Sequence, residues 1–323
     1  MVSVLLCTYN EKSDFLASAI ESILTQTWKE FEFLIVNDGT TDEASLEIID
    51  CYRKLDSRIV VENLSNHGLT MSLNTGLKLL CGQIVFRQDS DDWSEPTRIE
   101  RQIEFMERHP EVVIAGTQVN VCREDGLPLW KYTNPAYVDV SSGIFMKYNP
   151  FIHGSCCFRR SVALDIGGYR KELRYSQDYD FFWRLCEKGP GANIIEPLYN
   201  LRMTGGSLSA IKAKEQMKCR LVALYLGEMR QSHYPEDLDC AIERASLKME
   251  RSFKPEDNYF ELADRYLFSG HFRKSFGLYL QGLGMHKLSI RGILKLIRFV
   301  GYVSVPFMRK WLVFRGPGHF SRV

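Results

Sequence analysis

Gln83-Ile84-Val85-Phe86-Arg87-Gln88-Asp89-Ser90-Asp91-Asp92-Trp93 is the stretch on which the fold turns. An apolar run of strand type, residues 84–86, delivers Asp89, Asp91 and Asp92 into a loop that Trp93 closes. In extended backbone, residues two apart project to the same side, so Asp89 and Asp91 would face one point. Three acids this close repel one another, and a hard divalent cation with positions left for phosphate oxygens is the natural guest. A second reading needs no ligand: the acids would precede a helix with Pro96 in its first turn, where negative charge suits the helix dipole.

Upstream, residues 2–7 form a continuous apolar run, as in a buried parallel strand, and end at Thr8-Tyr9-Asn10. Ser13 is placed to cap a helix whose apolar positions 15, 16, 19, 20, 23 and 24 fall at helical spacing. A second strand, 31–36, runs into Asn37-Asp38-Gly39-Thr40-Thr41-Asp42. A helix over 43–55, a strand over 58–62, a loop over 63–68 and a helix over 70–80 ended by Gly82 complete the pattern. Four strand–helix units predict an α/β fold with a mainly parallel sheet between helices.

Such sheets bind ligands outside the carboxyl ends of their strands. Thr8 to Asn10, Asp38-Gly39, Asn66 to Gly68 and Asp89 to Asp92 would therefore share one rim. There Tyr9 can stack on a base, Asp38 can accept a hydrogen bond from a base N–H, and the acids can hold a metal on a diphosphate. Singly, Asp38-Gly39 is equally a turn signal and Tyr9 equally a packing residue.

Downstream, a helix over 98–108, a strand around Gly116 and a hairpin turn at Asp125-Gly126 lead to Asn149-Pro150-Phe151-Ile152-His153-Gly154-Ser155. After a turn at 166–169, Ser176-Gln177-Asp178-Tyr179-Asp180 opens an aromatic helix. Capping accounts for these acids, and a carboxylate shielded by aromatics can equally act as a general base. From 208 onward the chain reads as helical, including a helical hairpin about Gly270. Residues 287–323 carry eight Lys or Arg and no acid. Arg291, Lys295 and Arg298 lie at i, i+4 and i+7, which suits either the surface of an anionic membrane or a helix packed on the body.

The 323 residues, 45% hydrophobic and 25% charged, suffice for a large domain with an appendage. A net charge of +1 gives no whole-chain attraction for nucleic acid. Nine scattered cysteines without a CxxC pair read as reduced thiols. No dinucleotide fingerprint, phosphate loop of Walker type or zinc spacing is present. Without a signal-like start or a run of 18 apolar residues, the body is expected in the cytoplasm, peripheral at the inner face of the plasma membrane if the basic tail docks there.

In order along the chain, these blocks resemble the inverting, GT-A fold, family 2 glycosyltransferases of bacterial polysaccharide and glycolipid assembly. The similarity runs from residue 2 to about 209. Val36-Asn37-Asp38-Gly39-Thr40-Thr41-Asp42 is similar to the family's Val-x-Asp-Gly-Ser-x-Asp signature. Asn66-His67-Gly68-Leu69 with Ser72-Leu73-Asn74-Thr75-Gly76 is similar to the next block, and Asp89-Ser90-Asp91 falls on the DxD metal motif. Ser176 to Asp180 with Trp183-Arg184-Leu185 resembles the Glu-Asp-Tyr-Asp block.

The resemblance implies a GT-A domain over 1–208, with a nucleotide-sugar half (1–120) and an acceptor half (121–208), then a helical region over 209–323. It implies that Thr8, Tyr9 and Asp38 hold the uracil of a UDP-sugar, with Asn10, Asn66, Asn74, Arg87, Ser90 and Arg202 also on the donor. Asp89 would serve the ribose and donor sugar, and Asp91, with Asp89, a Mn2+ or Mg2+ ion. Asp178 would be the general base toward a saccharide or lipid-linked saccharide acceptor. Gln177 stands where the family usually has Glu, and Thr204 where many relatives have a metal-binding His. The alternatives are a nucleotide-sugar-binding protein without turnover and a sugar nucleotidyltransferase.

Overall fold

The computed structural model describes residues 1–204, 212–252, 255–269 and 271–285. Among them ten strands form one mixed sheet: β1 (Val2–Thr8), β2 (Phe31–Asn37), β3 (Ile59–Asn63), β4 (Ile84–Asp89), β5 (Trp93–Ser94), β6 (Ile114–Arg123), β7 (Pro128–Tyr132), β8 (Tyr137–Val138), β9 (Cys157–Arg159) and β10 (Gly191–Met203). The order is β3-β2-β1-β4-β9-β6-β10-β5, with β7 on β6 and β8 on β10. β1 is parallel to β2 and β4, and β2 to β3. β9 is antiparallel to β4 and β6, as β10 is to β5 and β8.

The parallel strands alternate with α1 (Ser13–Leu24), α2 (Glu43–Leu55) and α3 (Leu69–Leu79). Val2, Val4 and Leu6 alternate along β1 into one core layer, with Phe31, Phe33 and Ile35 of β2 beside them. Leu16, Ala19, Ile20 and Ile23 of α1 close over this face together with Ile99, Ile103 and Met106 of α4 (Arg98–Arg108). Each such fully buried side chain contributes about 1.5–3 kcal/mol of transfer free energy.

The sheet reverses its winding at β1: β2 and β3 extend it one way, and β4 returns to the other side. A crevice at the carboxyl ends of strands flanking such a switch is where α/β sheets bind ligands. The register pairs Thr8 with Asn37 and Cys7 with Asp89, so the predicted rim residues flank this point.

Two local expectations change. Lys12 occupies the N-cap of α1, which has no side-chain cap, and Ser13 is its first helical residue. The acidic loop does not abut a helix: Trp93 and Ser94 pair antiparallel with Asn200 and Tyr199, and α4 starts only at Arg98 behind the cap residue Thr97. Capping therefore does not explain Asp89, Asp91 and Asp92.

The later helices are α5 (Arg160–Asp165), α6 (Gln177–Cys186), α7 (Ala213–Gln231), α8 (Leu238–Ser252), α9 (Pro255–Phe268) and α10 (Phe272–Met285). Contacts group the chain into two compact units. The first comprises Met1–Val119, Tyr132–Leu201 and Cys219–Ala241, and the second Asn120–Lys131, Arg202–Lys218 and the chain from Ile242. In the second unit α9 and α10 form the expected hairpin, joined by the Ser275 hydroxyl donating to the Ala263 carbonyl (2.7 Å) and by Tyr279 bonding Asp264. Trp130 meets Phe268 edge-on at 5.1 Å. No helix among the described residues is long and apolar enough to cross a membrane. The basic run 287–315 lies outside the described residues.

Candidate active site

The acidic loop rests on buried cations. Arg98, fully buried, donates to Gln88 Oε1, Ser94 Oγ, Gln102 Oε1 and the Arg87 and Cys156 carbonyls, with Tyr199 in cation–π range at 4.9 Å. Gln88 Nε2 in turn holds the carbonyls of Asp89 (3.0 Å) and Asp92 (3.1 Å). Arg87, also buried, donates to the Leu5 and Gln88 carbonyls and pairs with Asp89 Oδ1 at 2.8 Å. Much of the repulsion that the sequence suggests is thus answered from beneath by two guanidiniums.

The three acids are not equivalent. Asp92 is buried and accepts from the Tyr199 hydroxyl at 2.9 Å. Asp89 and Asp91 are partly exposed at the end of β4. Gly154 lies against this corner so closely that a Cβ there would stand 1.9 Å from the Tyr199 hydroxyl and 2.7 Å from Asp89 Oδ2. Asp89 and Asp91 are hard oxygen donors, which fits a Mg2+ or Mn2+ ion. No three His, Cys, Asp or Glu side chains converge on one point among the described residues. Thr204 is buried in the second unit, where the Arg202 guanidinium donates to the Glu124 carbonyl.

The nucleotide rim is built by loops that bind one another. The Asp38 amide donates to the Thr8 carbonyl (2.9 Å), and both Asp38 carboxylate oxygens accept, from the His67 and Gly68 amides at 2.8 Å each. Asn10 Oδ1 accepts from the Thr41 and Asp42 amides (2.8 and 3.2 Å). Gly39 has φ +81°, and a Cβ there would lie 2.7 Å from the Asn66 nitrogen, so this turn admits only glycine. Asn10 and Asn66 also take positive φ. Tyr9 is 48% exposed beside this rim, while the buried Thr8 Oγ1 has no hydrogen-bond partner among the described residues. Ser90 reaches Glu11 at 3.4 Å. Asn74 spends both ends of its amide on the Tyr169 backbone (2.7 and 2.8 Å), so like Arg87 it supports the rim from behind.

At the start of α6 the two predicted acids part ways. Asp180 is fully buried among Arg184 (2.7 Å), Arg170 (3.1 Å) and Arg230 (3.8 Å). Asp178, two residues earlier and behind Ser176 in left-handed conformation, has no ion pair among the described residues. Its Oδ2 accepts from Asn149 Nδ2 at 2.9 Å. Burial, with a smaller contribution from the Asp89 charge, pushes its carboxyl up to about 6, against stabilisation by the Tyr179 and Asp178 amides and Asn149. His153 stands between the regions: Nε2 shares a hydrogen bond with the Tyr169 hydroxyl (3.0 Å), and Nδ1 lies 4.0 Å from Asp89. Burial, helped by Arg87, lowers its pKa to about 4, so the imidazole is neutral near pH 7. Asn149 and Tyr199 carry no local sequence signal, because Asp178 and Asp92 lie 29 and 107 residues away along the chain.

The sequence profile of "Glycosyl transferase family 2" matches residues 3–167, a span that holds the nucleotide rim and the acidic loop. The chain belongs to this family. It is 35% identical over 204 residues to the amylovoran biosynthesis glycosyltransferase AmsE of Erwinia amylovora, covering 62% of this chain and 76% of that one. It is 30% identical over 234 residues to Escherichia coli WfaP, a UDP-Glc:alpha-D-GlcNAc-diphosphoundecaprenol beta-1,3-glucosyltransferase, covering 70% and 87%. The fold is shared with S. aureus TarS 1–349 in complex with UDP-GlcNAc, at a TM-score of 0.57 and 18% identity, over 87% of this chain and 90% of that one. The family glycosyltransferase has its GT-A sheet and acidic loop where the sequence predicts them. Asp178 lies beyond the matched span.

Proposed function

We propose that this glycosyltransferase moves a sugar from a UDP-sugar to a hydroxyl of a saccharide or lipid-linked saccharide, with inversion, in surface polysaccharide or glycolipid assembly. The observation that carries the reading is Asp178: a carboxylate with no ion pair among the described residues, pushed up to about 6 by burial and within electrostatic reach of the donor-side Asp89. A general base works best with its pKa near the operating pH. The name of AmsE, the donor and acceptor in the name of WfaP, and the UDP-GlcNAc held by TarS support the substrate classes. The family match supports sugar transfer over the nucleotidyltransferase alternative.

Tyr9 would stack on the uracil, Asp38 would offer it a remaining lone pair, and the unpartnered Thr8 hydroxyl would meet it at the floor of the rim. Asn10 and Asn66 shape the loops around it. Asp89 would bind the ribose and donor sugar, and Asp89 with Asp91 would hold a divalent cation. When bound, that cation supplies positive charge to the leaving diphosphate. Asp178 takes the proton of the acceptor hydroxyl as the oxygen bonds to the anomeric carbon from the face opposite UDP. The carbon–oxygen bond to UDP breaks with its electron pair going to the diphosphate, and one displacement inverts the centre. A lipid-linked acceptor accords with the basic run 287–315.

Calorimetric titration with UDP, GDP and CMP, each with and without Mn2+, tests the donor class. Binding of UDP strengthened by Mn2+ is expected, and a preference for GDP or CMP would overturn the assignment.

A further inference from the structure

We propose that Asn149 is the positioning residue of the base: its amide holds one carboxylate oxygen of Asp178 and so fixes the orientation in which the carboxylate meets the acceptor hydroxyl. The inference rests on Asp178 being that base.

The two ends of the Asn149 amide are assigned by their partners. The Phe151 backbone N–H, 3.2 Å away, can be received only by the side-chain oxygen. The amide NH2 therefore faces Asp178, and Nδ2 donates to Oδ2 at 2.9 Å. The support behind this contact is packed. Pro150 accepts from Asn193 Nδ2 at 3.1 Å, and buried Phe151 meets Phe182 of α6 edge-on at 5.4 Å. The loop and the helix that carry the two side chains thus share one seam.

A neutral donor suits the task. A guanidinium at this place would hold the carboxylate ionised but make it a poor proton acceptor, as an ion pair does for a carboxylate. An apolar neighbour would leave only the Tyr179 and Asp178 amides to oppose burial and so push the carboxyl further up. Asn149 also closes a turn through Phe151, so a purely structural role is the competing account. Asn149→Asp separates the two: the carboxylate still accepts from Phe151 but cannot donate to Asp178.

The test follows the Asp178 carboxyl carbon by 13C NMR in the full chain, the resonance being identified by its loss in Asp178→Asn. The wild-type midpoint is expected near 6. In Asn149→Asp the upper midpoint of the coupled pair should rise by about one unit or more, a tenfold gain in proton affinity. Asn149→Ala should raise it as well. Hydrolysis of UDP-GlcNAc with Mn2+ should fall by about fivefold at pH 6 and about twofold at pH 7 in Asn149→Asp and recover toward pH 8.5, with KM for the donor unchanged. An unmoved midpoint in both variants, with Asp178→Asn inactive, would overturn the role of Asn149 alone. Full hydrolysis by Asp178→Asn would overturn the base assignment and this inference with it.

Discussion

The acids at the end of β4 and those at the start of α6 begin from the same pattern, two aspartates separated by one residue, and the fold treats them oppositely. In the β4 loop the acids are met by a guanidinium at Asp89 and a tyrosine hydroxyl at Asp92. In α6, among the described residues, the cations gather on Asp180 and none on Asp178. An aspartate with a cation holds its charge and serves as structure or as a fixed anion for ligands. One that has only an amide and a helix start titrates near neutrality and can trade protons. Position in the motif does not decide the role; the partner does.

Asp178→Asn should break the comparison most severely. Hydrolysis or transfer should fall by about 10²–10⁴-fold, the range for a positioned base, with UDP affinity unchanged by calorimetry. Comparable loss of UDP binding would mean that Asp178 belongs to the donor site. Asp180→Asn should instead act on folding. Leaving Arg184 and Arg170 without their buried partner should cost about 3–5 kcal/mol, read from urea unfolding. A loss below 1 kcal/mol would make the two acids alike after all.

The pH dependence sharpens the contrast. Activity of the wild-type chain should rise as pH passes through about 6 and level off above, since only the ionised Asp178 accepts a proton. Stability should run the other way. A carboxyl whose folded pKa is raised stabilises the fold below its unfolded pKa of 3.8, and that contribution is lost as pH rises through about 6. At pH 7 Asp178→Asn should accordingly be more stable than wild type, by about 1 kcal/mol or more. A variant less stable at pH 7 would place the charged form of Asp178 among the stabilising groups.

Smaller effects belong to the donor side. Asp91→Ala should weaken UDP binding about tenfold in Mn2+ and leave it unchanged in EDTA, because the protein supplies too few ligands to bind the ion without the diphosphate. Tight Mn2+ binding by the protein alone would contradict this. Smallest of all, Thr8→Val should lower UDP affinity a few-fold while leaving the thermal midpoint equal or slightly higher, since it removes a buried hydroxyl that has no partner.

Local periodicity made the four strand–helix units legible, because each needs only its own neighbours: Val4 and Leu6 alternate, and Ile99, Ile103 and Met106 recur at helical spacing. The rim was legible for the same reason, given the rule that ligands sit at carboxyl ends. What the sequence could not display were the long-range partners. Tyr199 reaches Asp92 across 107 residues, so the two-residue strand at Trp93 looked like the approach to a helix cap. Asp178 and Asp180 are indistinguishable by spacing, and the Arg230 that helps separate them lies on α7. Arg87 and Asn74 sit in ligand-like motifs yet face inward, because a motif names positions and says nothing of which way a side chain turns.

Arg87 and Arg98 have a consequence for life under scarcity. Because these interior charges already steady the acidic loop, its shape does not wait on an incoming ion. If the loop holds the proposed divalent cation, a cell starved of that ion would keep a stock of intact but idle enzyme, spared the quality-control machinery that removes unfolded chains. On that proposal, resupply would restart sugar transfer at the pace of ion entry, with no new synthesis, so that shortage interrupts output and not inventory.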